Sequence, residues 1–384
     1  MPRQETGENP EKETSEQKKM SEELQKMAFE AEYGAGTPSS KQEADAVKTA
    51  QAEQKELQEN QPAWETIKRL QKESKDIKRS NETEANCTIE IEGKKYTIET
   101  IERGDDPKLR DVQKLFERTF GKEEVDPEEI LRNAVDGHTA SGQPDNKYRI
   151  MTVWNEKGKL VSAFTGGQLE MMDENGKATG ESVYSVGYAV TDKRNRRKGL
   201  AEQAYISALI DATKEAQSEG NTLKMAIGEC TYTSEKYWNR IGWKRMYGKS
   251  EDGKTLTELK YTQPALDFDT ETGKPTEDAG EAPEHLMVDS FGTGEPSKEY
   301  ITRAYQAVVH YNADWPKEEF DNPAAFKTHV EYMDNLRANF INPLREGGDL
   351  VFMNAKARAE AKKNGINVMG HDAADHGEAG KEDF

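Results

Sequence analysis

The chain has 384 residues, 33% hydrophobic and 33% charged, with a formal net charge of −19. No apolar run approaches the roughly 18 residues that a membrane-spanning helix needs, the amino terminus Met1-Pro2-Arg3-Gln4-Glu5 has no apolar signal region, and the acidic balance opposes a general nucleic-acid surface. With only Cys87 and Cys230, a disulfide framework is excluded, and a cytoplasmic protein without membrane or nucleic-acid partners is expected.

A mean hydropathy of −1.00 requires the packed core to be concentrated in part of the chain. Residues 1–85 read as a charged low-complexity arm, a tether or a long charged helix. Their few large apolar residues, among them Leu24, Phe29, Trp64, Ile67 and Leu70, bury too little surface to offset the entropy of ordering.

Residues 86–265 have a different texture. Cys87-Thr88-Ile89-Glu90-Ile91 and Tyr96-Thr97-Ile98-Glu99-Thr100-Ile101 alternate apolar and polar residues around Gly93, which predicts a hairpin. Leu109, Val112, Leu115, Phe116 and Phe120 share one face of a helix that Gly121 stops. Strands are predicted at Tyr148 to Trp154, Leu160 to Phe164 and Gln168 to Met172.

Val183, Tyr184, Val186, Tyr188 and Val190 predict the next strand. Gly187 inside it marks either a bulge or a tolerated packing glycine. Leu200, Ala204, Tyr205, Ala208, Leu209 and Ala212 then give a helix one apolar face. Between the two lies Arg196-Arg197-Lys198-Gly199-Leu200-Ala201. A strand, a basic glycine turn and a helix start aim backbone N–H groups and the positive end of the helix dipole at one point, as a pyrophosphate requires. Gly199 lets an anion approach without a Cβ in the way. The same residues also fit a solvated basic turn.

A strand from Leu223 to Ile227 and a helix ending at Gly242-Trp243 come next, then strands Trp243 to Tyr247 and Leu256 to Tyr261. Residues 266–296, with Gly273, Pro275 and Gly280, read as a linker or long loop. Residues 297–384 read as a small α/β extension: helices Lys298 to Tyr311 and Ala324 to Phe340, a strand Leu350 to Met353, a helix Ala355 to Asn364, and a polar tail. His371, Asp372, Asp375 and His376 have metal-ligand types, but no helix sets them on one face and no metal site is expected. Gly292-Thr293-Gly294 lacks the strand and helix that would make it a phosphate loop.

Two of these features, in this order, resemble the Gcn5-related N-acetyltransferases. Arg196, Gly199 and Ala201 fit a pattern similar to the family's pyrophosphate motif, and Glu235-Lys236-Tyr237-Trp238-Asn239-Arg240-Ile241-Gly242-Trp243 is similar to its late helix with a Gly-aromatic end. The resemblance spans roughly Cys87 to Thr262. It implies an α/β fold with a mixed central sheet flanked by helices, unlike a βαβ dinucleotide domain, whose glycine turn follows the first strand. It further implies an acetyl-CoA site on Tyr188, Ala189, Val190, Arg196, Arg197, Lys198, Gly199, Leu200 and Ala201, with a backbone N–H near Val190 acting on the thioester oxygen. The implied reaction moves an acetyl group to an amine of a small molecule or protein by direct attack on the thioester.

Two departures stand out. The loop from Val190 to Gly199 is one residue longer than the family spacing, and Trp238 occupies the position of the family's tyrosine. Tyr237, its neighbour, is the candidate acid for the departing thiolate, although adjacent helical residues point about 100° apart. Glu229, at the end of the Leu223 to Ile227 strand, is the candidate base if burial raises its pKa, or else a solvated strand end. Cys230 has no nearby histidine and reads as a small core or rim residue. The acceptor pocket is expected in Asp126 to Asn146 and after Thr262. A non-catalytic CoA-binding sensor or interaction module is the alternative, which Trp238 favours.

Overall fold

The computed structural model describes residues 61–122, 125–137, 147–231, 234–265, 267–276 and 282–370. Helix α1 (Ala63–Glu73) and the short strand β1 (Ile77–Arg79) come first. The predicted hairpin follows as β2 (Cys87–Ile91) and β3 (Lys94–Ile101), closed by Glu92 and Gly93 at φ of 52° and 75°. Helix α2 (Leu109–Phe120) stops at Gly121, φ 100°, and α3 (Glu128–Val135) occupies part of the expected acceptor loop. Strands β4 (Lys147–Asn155), β5 (Leu160–Met172) and β6 (Ala178–Thr191) form an antiparallel meander. The two strands expected within 160–172 are one, running through Gly166 and Gly167.

Helix α4 (Leu200–Ser218), strand β7 (Thr222–Cys230), helix α5 (Glu235–Arg240) and strands β8 (Lys244–Lys249), β9 (Thr255–Glu258) and β10 (Tyr261–Gln263) continue the chain. Strand β11 (Ala282–Asp289), helices α6 (Lys298–Ala313) and α7 (Pro323–Glu346), strand β12 (Leu350–Met353), helix α8 (Ala355–Lys363) and strand β13 (Asn367–Met369) complete it.

The main path of the sheet runs β1-β2-β3-β4-β5-β6-β7-β11-β8-β9-β13, with β10 on β11 and β12 on β8. Pairing is antiparallel except at β6–β7 and β9–β13. This is the mixed central sheet flanked by helices that the resemblance implies. One face carries α4 roofed by α1, and the other carries α2 and α3 at one end and α6 and α7 at the other.

Three expectations change. Within the supposed arm, Ala63, Ile67 and Leu70 are buried in the same cluster as α4 and β7. The reason lies in α4: every position from Gln203 to Ile210 is buried, so its outer side needs an apolar cover. Gln61 fixes that cover by donating to the Asn221 carbonyl and accepting from Leu223 N–H, both at 2.8 Å. Second, the supposed linker 266–296 contains β11, which sits between β7 and β8 in the sheet. Third, α6 and α7 of the supposed extension share a core with β6, β7 and β11, through Val183, Ile227 and Leu286. His371, Asp372, Asp375 and His376 lie outside the described residues. Among the described residues, no helix is long and apolar enough to cross a membrane.

If α1 is part of the core, Ile67→Ala should cost about 3 kcal/mol, as a buried aliphatic truncation does. Chemical denaturation measures it; a change below about 0.5 kcal/mol, typical of a surface site, would return α1 to a tether.

Candidate active site

The parallel ladder between β6 and β7 runs from Glu181 opposite Thr222 to Val186 opposite Gly228, and stops there. Strand β6 continues to Thr191 while Gly228, Glu229 and Cys230 pair with β11 on the far side of β7. The two strands therefore splay and leave two backbone edges facing a gap.

A bulge in β6 creates the divergence. The register with β5 shifts between Phe164 and Gly166, so that Gly187 and Tyr188 together stand opposite Thr165. Thr165 Oγ1 takes the Tyr188 N–H at 2.7 Å, and a Cβ on Gly187 would lie 2.7 Å from the same oxygen and 3.0 Å from the Tyr148 hydroxyl. Of the two readings of Gly187, the structure thus has the bulge with its close approach. The extra residue keeps Ala189 on the α4 face with Val186, and Tyr188 and Val190 on the α2 face.

Backbone direction follows from the same register. Asp192 N–H bonds Val161 C=O, and Val190 stands two residues earlier opposite Ala163. Alternation along an antiparallel ladder then turns the Val190 N–H toward β5 and leaves those of Ala189 and Thr191 facing the gap. Tyr188 offers the gap no side chain: its ring packs 4.8 Å from Phe116 and 5.7 Å from Phe120, and its hydroxyl donates to Asp126 Oδ2 at 3.0 Å.

Beyond β6 the longer loop is absorbed by a 3-10 turn, Lys193–Asn195, whose cap Asp192 accepts the Arg194 N–H and pairs with Arg118 at 3.0 Å. Arg197 and Gly199 both take left-handed backbone, φ 66° and 76°. Such turns converge successive N–H groups into an anion-binding concavity, and a non-glycine residue held there is strained, a feature common at ligand sites. The left-handed Arg197 has no signal in the sequence. Gly199 is the N-cap of α4 and supplies no side chain to the first helical N–H groups, so those of Leu200 and Ala201 point outward. A Cβ on Gly199 would sit 2.8 Å from Ile77 Cδ1. Arg196 Nε donates to Thr191 C=O at 3.3 Å, Lys198 Nζ to Asn195 Oδ1 at 3.1 Å, and exposed Arg197 has no carboxylate partner among the described residues.

The second motif forms the floor. Helix α5 ends at Arg240 with Ile241 as its cap, and the chain turns at Gly242, φ 106°, so that Trp243 N–H returns to Trp238 C=O at 3.0 Å. Trp243 is fully buried, 4.7 Å from Trp238, and it lies beneath the splay: a Cβ on Gly228 would be 3.3 Å from its ring and 3.1 Å from Val186. Trp238 is 4% exposed and belongs to this core. Tyr237 packs partly against it, and its hydroxyl is buried without a hydrogen-bond partner among the described residues. Burial, with the Glu202 charge, raises its pKa, so it keeps its proton near neutrality. Glu235 anchors α5 through Arg245 and, at 2.6 Å, Arg358 of α8.

Glu229 stands on β7 one residue past the last rung, facing the opposite side of the sheet from Cys230. Its carboxylate accepts a hydrogen bond from Tyr261, and burial, opposed by that bond and aided by the Asp126 charge, pushes its pKa up to about 7. A half-buried carboxylate poised near neutrality is suited to accept a proton. Asp126 is itself raised by burial, which outweighs its bond from Tyr188. Cys230 is 1% exposed and burial raises its thiol well above the ordinary range, so it offers no nucleophile.

No protein-family model matches the chain, and no curated protein matches it in sequence. Solved structures of acetyltransferases do match. They include an aminoglycoside acetyltransferase from an uncultured soil metagenomic sample, solved with sisomicin (17% identity, 38% of this chain and 84% of that one, TM-score 0.27). They also include a GNAT-family acetyltransferase of Staphylococcus aureus (13%, 50% and 99%, 0.29) and Arabidopsis thaliana NAA60 with a bisubstrate analogue (9%, 50% and 97%, 0.31).

Proposed function

We propose that the chain is an acetyl-CoA-dependent N-acetyltransferase whose reaction centre is the splay between β6 and β7. The observation that carries this reading is the coincidence, along one strand–turn–helix, of an open backbone edge at Ala189 and Thr191 and an uncapped helix start at Gly199. The residues fit the co-substrate. Gly199 is held at φ 76° with its Cβ position closed by Ile77, so the helix start is presented by bare backbone, and the Tyr237 hydroxyl is buried without a partner among the described residues.

Acetyl-CoA supplies the acetyl group as an activated thioester. The N–H groups of Gly199, Leu200 and Ala201, with Arg196, Arg197 and Lys198, hold its pyrophosphate, and the open edge of β6 pairs with the amide-bearing arm. The N–H of Ala189, rather than that of Val190, is the donor for the thioester oxygen. Glu229 accepts the proton lost by the attacking amine, and Tyr237 donates one to the departing sulfur. A carbon–nitrogen bond forms as the carbon–sulfur bond breaks, and both protons are accounted for. The acceptor is an amine on a small molecule or a protein. Trp238 keeps the reading of a non-catalytic CoA-binding module in view, since its buried ring replaces the family's tyrosine; turnover separates the two.

Wild type should bind acetyl-CoA with micromolar affinity by calorimetry, and Gly199→Glu should abolish binding, because a side chain at φ 76° is strained and meets Ile77. No binding by wild type would sink the cofactor site. In a coenzyme A release assay on an amine panel, turnover should rise with pH through about 7, since Glu229 must ionise to act as base. Glu229→Gln should lower it by about 10²–10⁴-fold and remove that rise. A profile unchanged by the substitution would take Glu229 out of the reaction.

A further inference from the structure

Helix α1, strand β1 and the turn between them touch both halves of the candidate site. Ile77 closes against Gly199, and Arg69 donates to the Ile241 carbonyl at 2.9 Å, beside Gly242. Arg79, buried, donates to Ser207 at 3.0 Å and to the Gln203 side chain at 3.2 Å along α4. Between these anchors Ser74, the residue that ends α1, donates its hydroxyl to Glu202 Oε1.

Glu202 occupies the first turn of α4, three residues from Gly199, with a side chain 14% exposed. Its other oxygen lies 3.9 Å from Arg240, whose guanidinium is 5.4 Å from the Tyr237 ring. An acidic side chain in a first helical turn favours the helix dipole, but the same charge opposes an anionic ligand at that terminus. A cradle for a pyrophosphate with a carboxylate in its first turn therefore needs that carboxylate tied down.

We infer that Ser74 is a positioning residue of the cofactor site: with Arg240 it tethers the Glu202 carboxylate toward α1 and so keeps the start of α4 available to a phosphate. The inference rests on the acetyl-CoA reading above. It gives the α1–β1 segment a role in ligand affinity beyond roofing α4, and it links that segment through Glu202 and Arg240 to Tyr237.

The test is calorimetry of the full chain with acetyl-CoA, alongside thermal unfolding. Ser74→Ala frees a charged acceptor and should weaken binding about tenfold, while Ser74→Thr, which keeps the hydroxyl, should retain wild-type affinity. Adding Glu202→Gln to Ser74→Ala removes the charge and should restore affinity to within about twofold of wild type. A merely structural role for Ser74 would not be rescued in this way, because the amide cannot rebuild the lost contact. Glu202→Gln alone, with Ser74 in place, should bind at least as tightly as wild type, which keeps the test open if Ser74→Ala folds poorly. Unchanged affinity in Ser74→Ala, failure of the double variant to recover, or weakened binding by Glu202→Gln each overturns the inference while leaving the cofactor site standing. Absence of binding by wild type overturns both.

Discussion

The structure depends on one interruption: the parallel ladder of β6 and β7 ends at Val186 and Gly228 although both strands continue. Two small-residue constraints impose it. At Gly187 the bulge brings Thr165 into the space a Cβ would need and hands it the Tyr188 N–H, so β6 bends without an orphaned donor. At Gly228 the ring of Trp243 fills the space from below. Strand β11 then occupies the outer edge of β7, which satisfies Glu229 and Cys230 on that side and leaves the gap as the open boundary. A backbone edge left unpaired inside a sheet is costly unless something pairs with it, and an extended amide-bearing chain is the natural occupant.

In the proposed reaction, the groups that would act on such an occupant come from separate elements. The end of β6 leads through the 3-10 turn to the uncapped start of α4, and the end of β7 presents Glu229. Helix α5 brings Tyr237, held from outside by the buried ion pairs of Glu235 with Arg245 and Arg358. Salt bridges at this depth are weak evidence for stability, but they fix the position of the helix that carries them. Helix α8 thus braces α5, and α1 roofs α4.

Much of this was legible in the residues. The hairpin at 87–101, the helix of Leu109 to Phe120 and the strand–turn–helix around Gly199 follow from local periodicity and glycine placement, which the chain obeys. What could not be read depends on non-local pairing. Strand β11 inserts between β7 and β8 after a stretch rich in Gly and Pro, so nothing in its own eight residues distinguishes a sheet strand from a loop passage. Helix α1 looked like part of a polar arm because its buried residues are only Ala63, Thr66, Ile67 and Leu70, and the need for them arises on α4. The site shows the same division. Gly199, Glu229 and Gly187 were candidates from residue type and position along a strand or helix start, whereas the left-handed Arg197, the Tyr261 bond to Glu229 and the direction of the Ala189 N–H emerge only from the assembled sheet.

The central claim, that the gap between β6 and β7 and the start of α4 form one cofactor site, is tested most directly by amide hydrogen exchange resolved to single residues, with and without coenzyme A. The account predicts that the N–H groups of Ala189 and Thr191 and of residues 197–202 slow together on adding the ligand, while that of Val190, already committed to β5, does not change. Protection confined to other parts of the chain, or slowing at the helix start with none at Ala189 and Thr191, would contradict it.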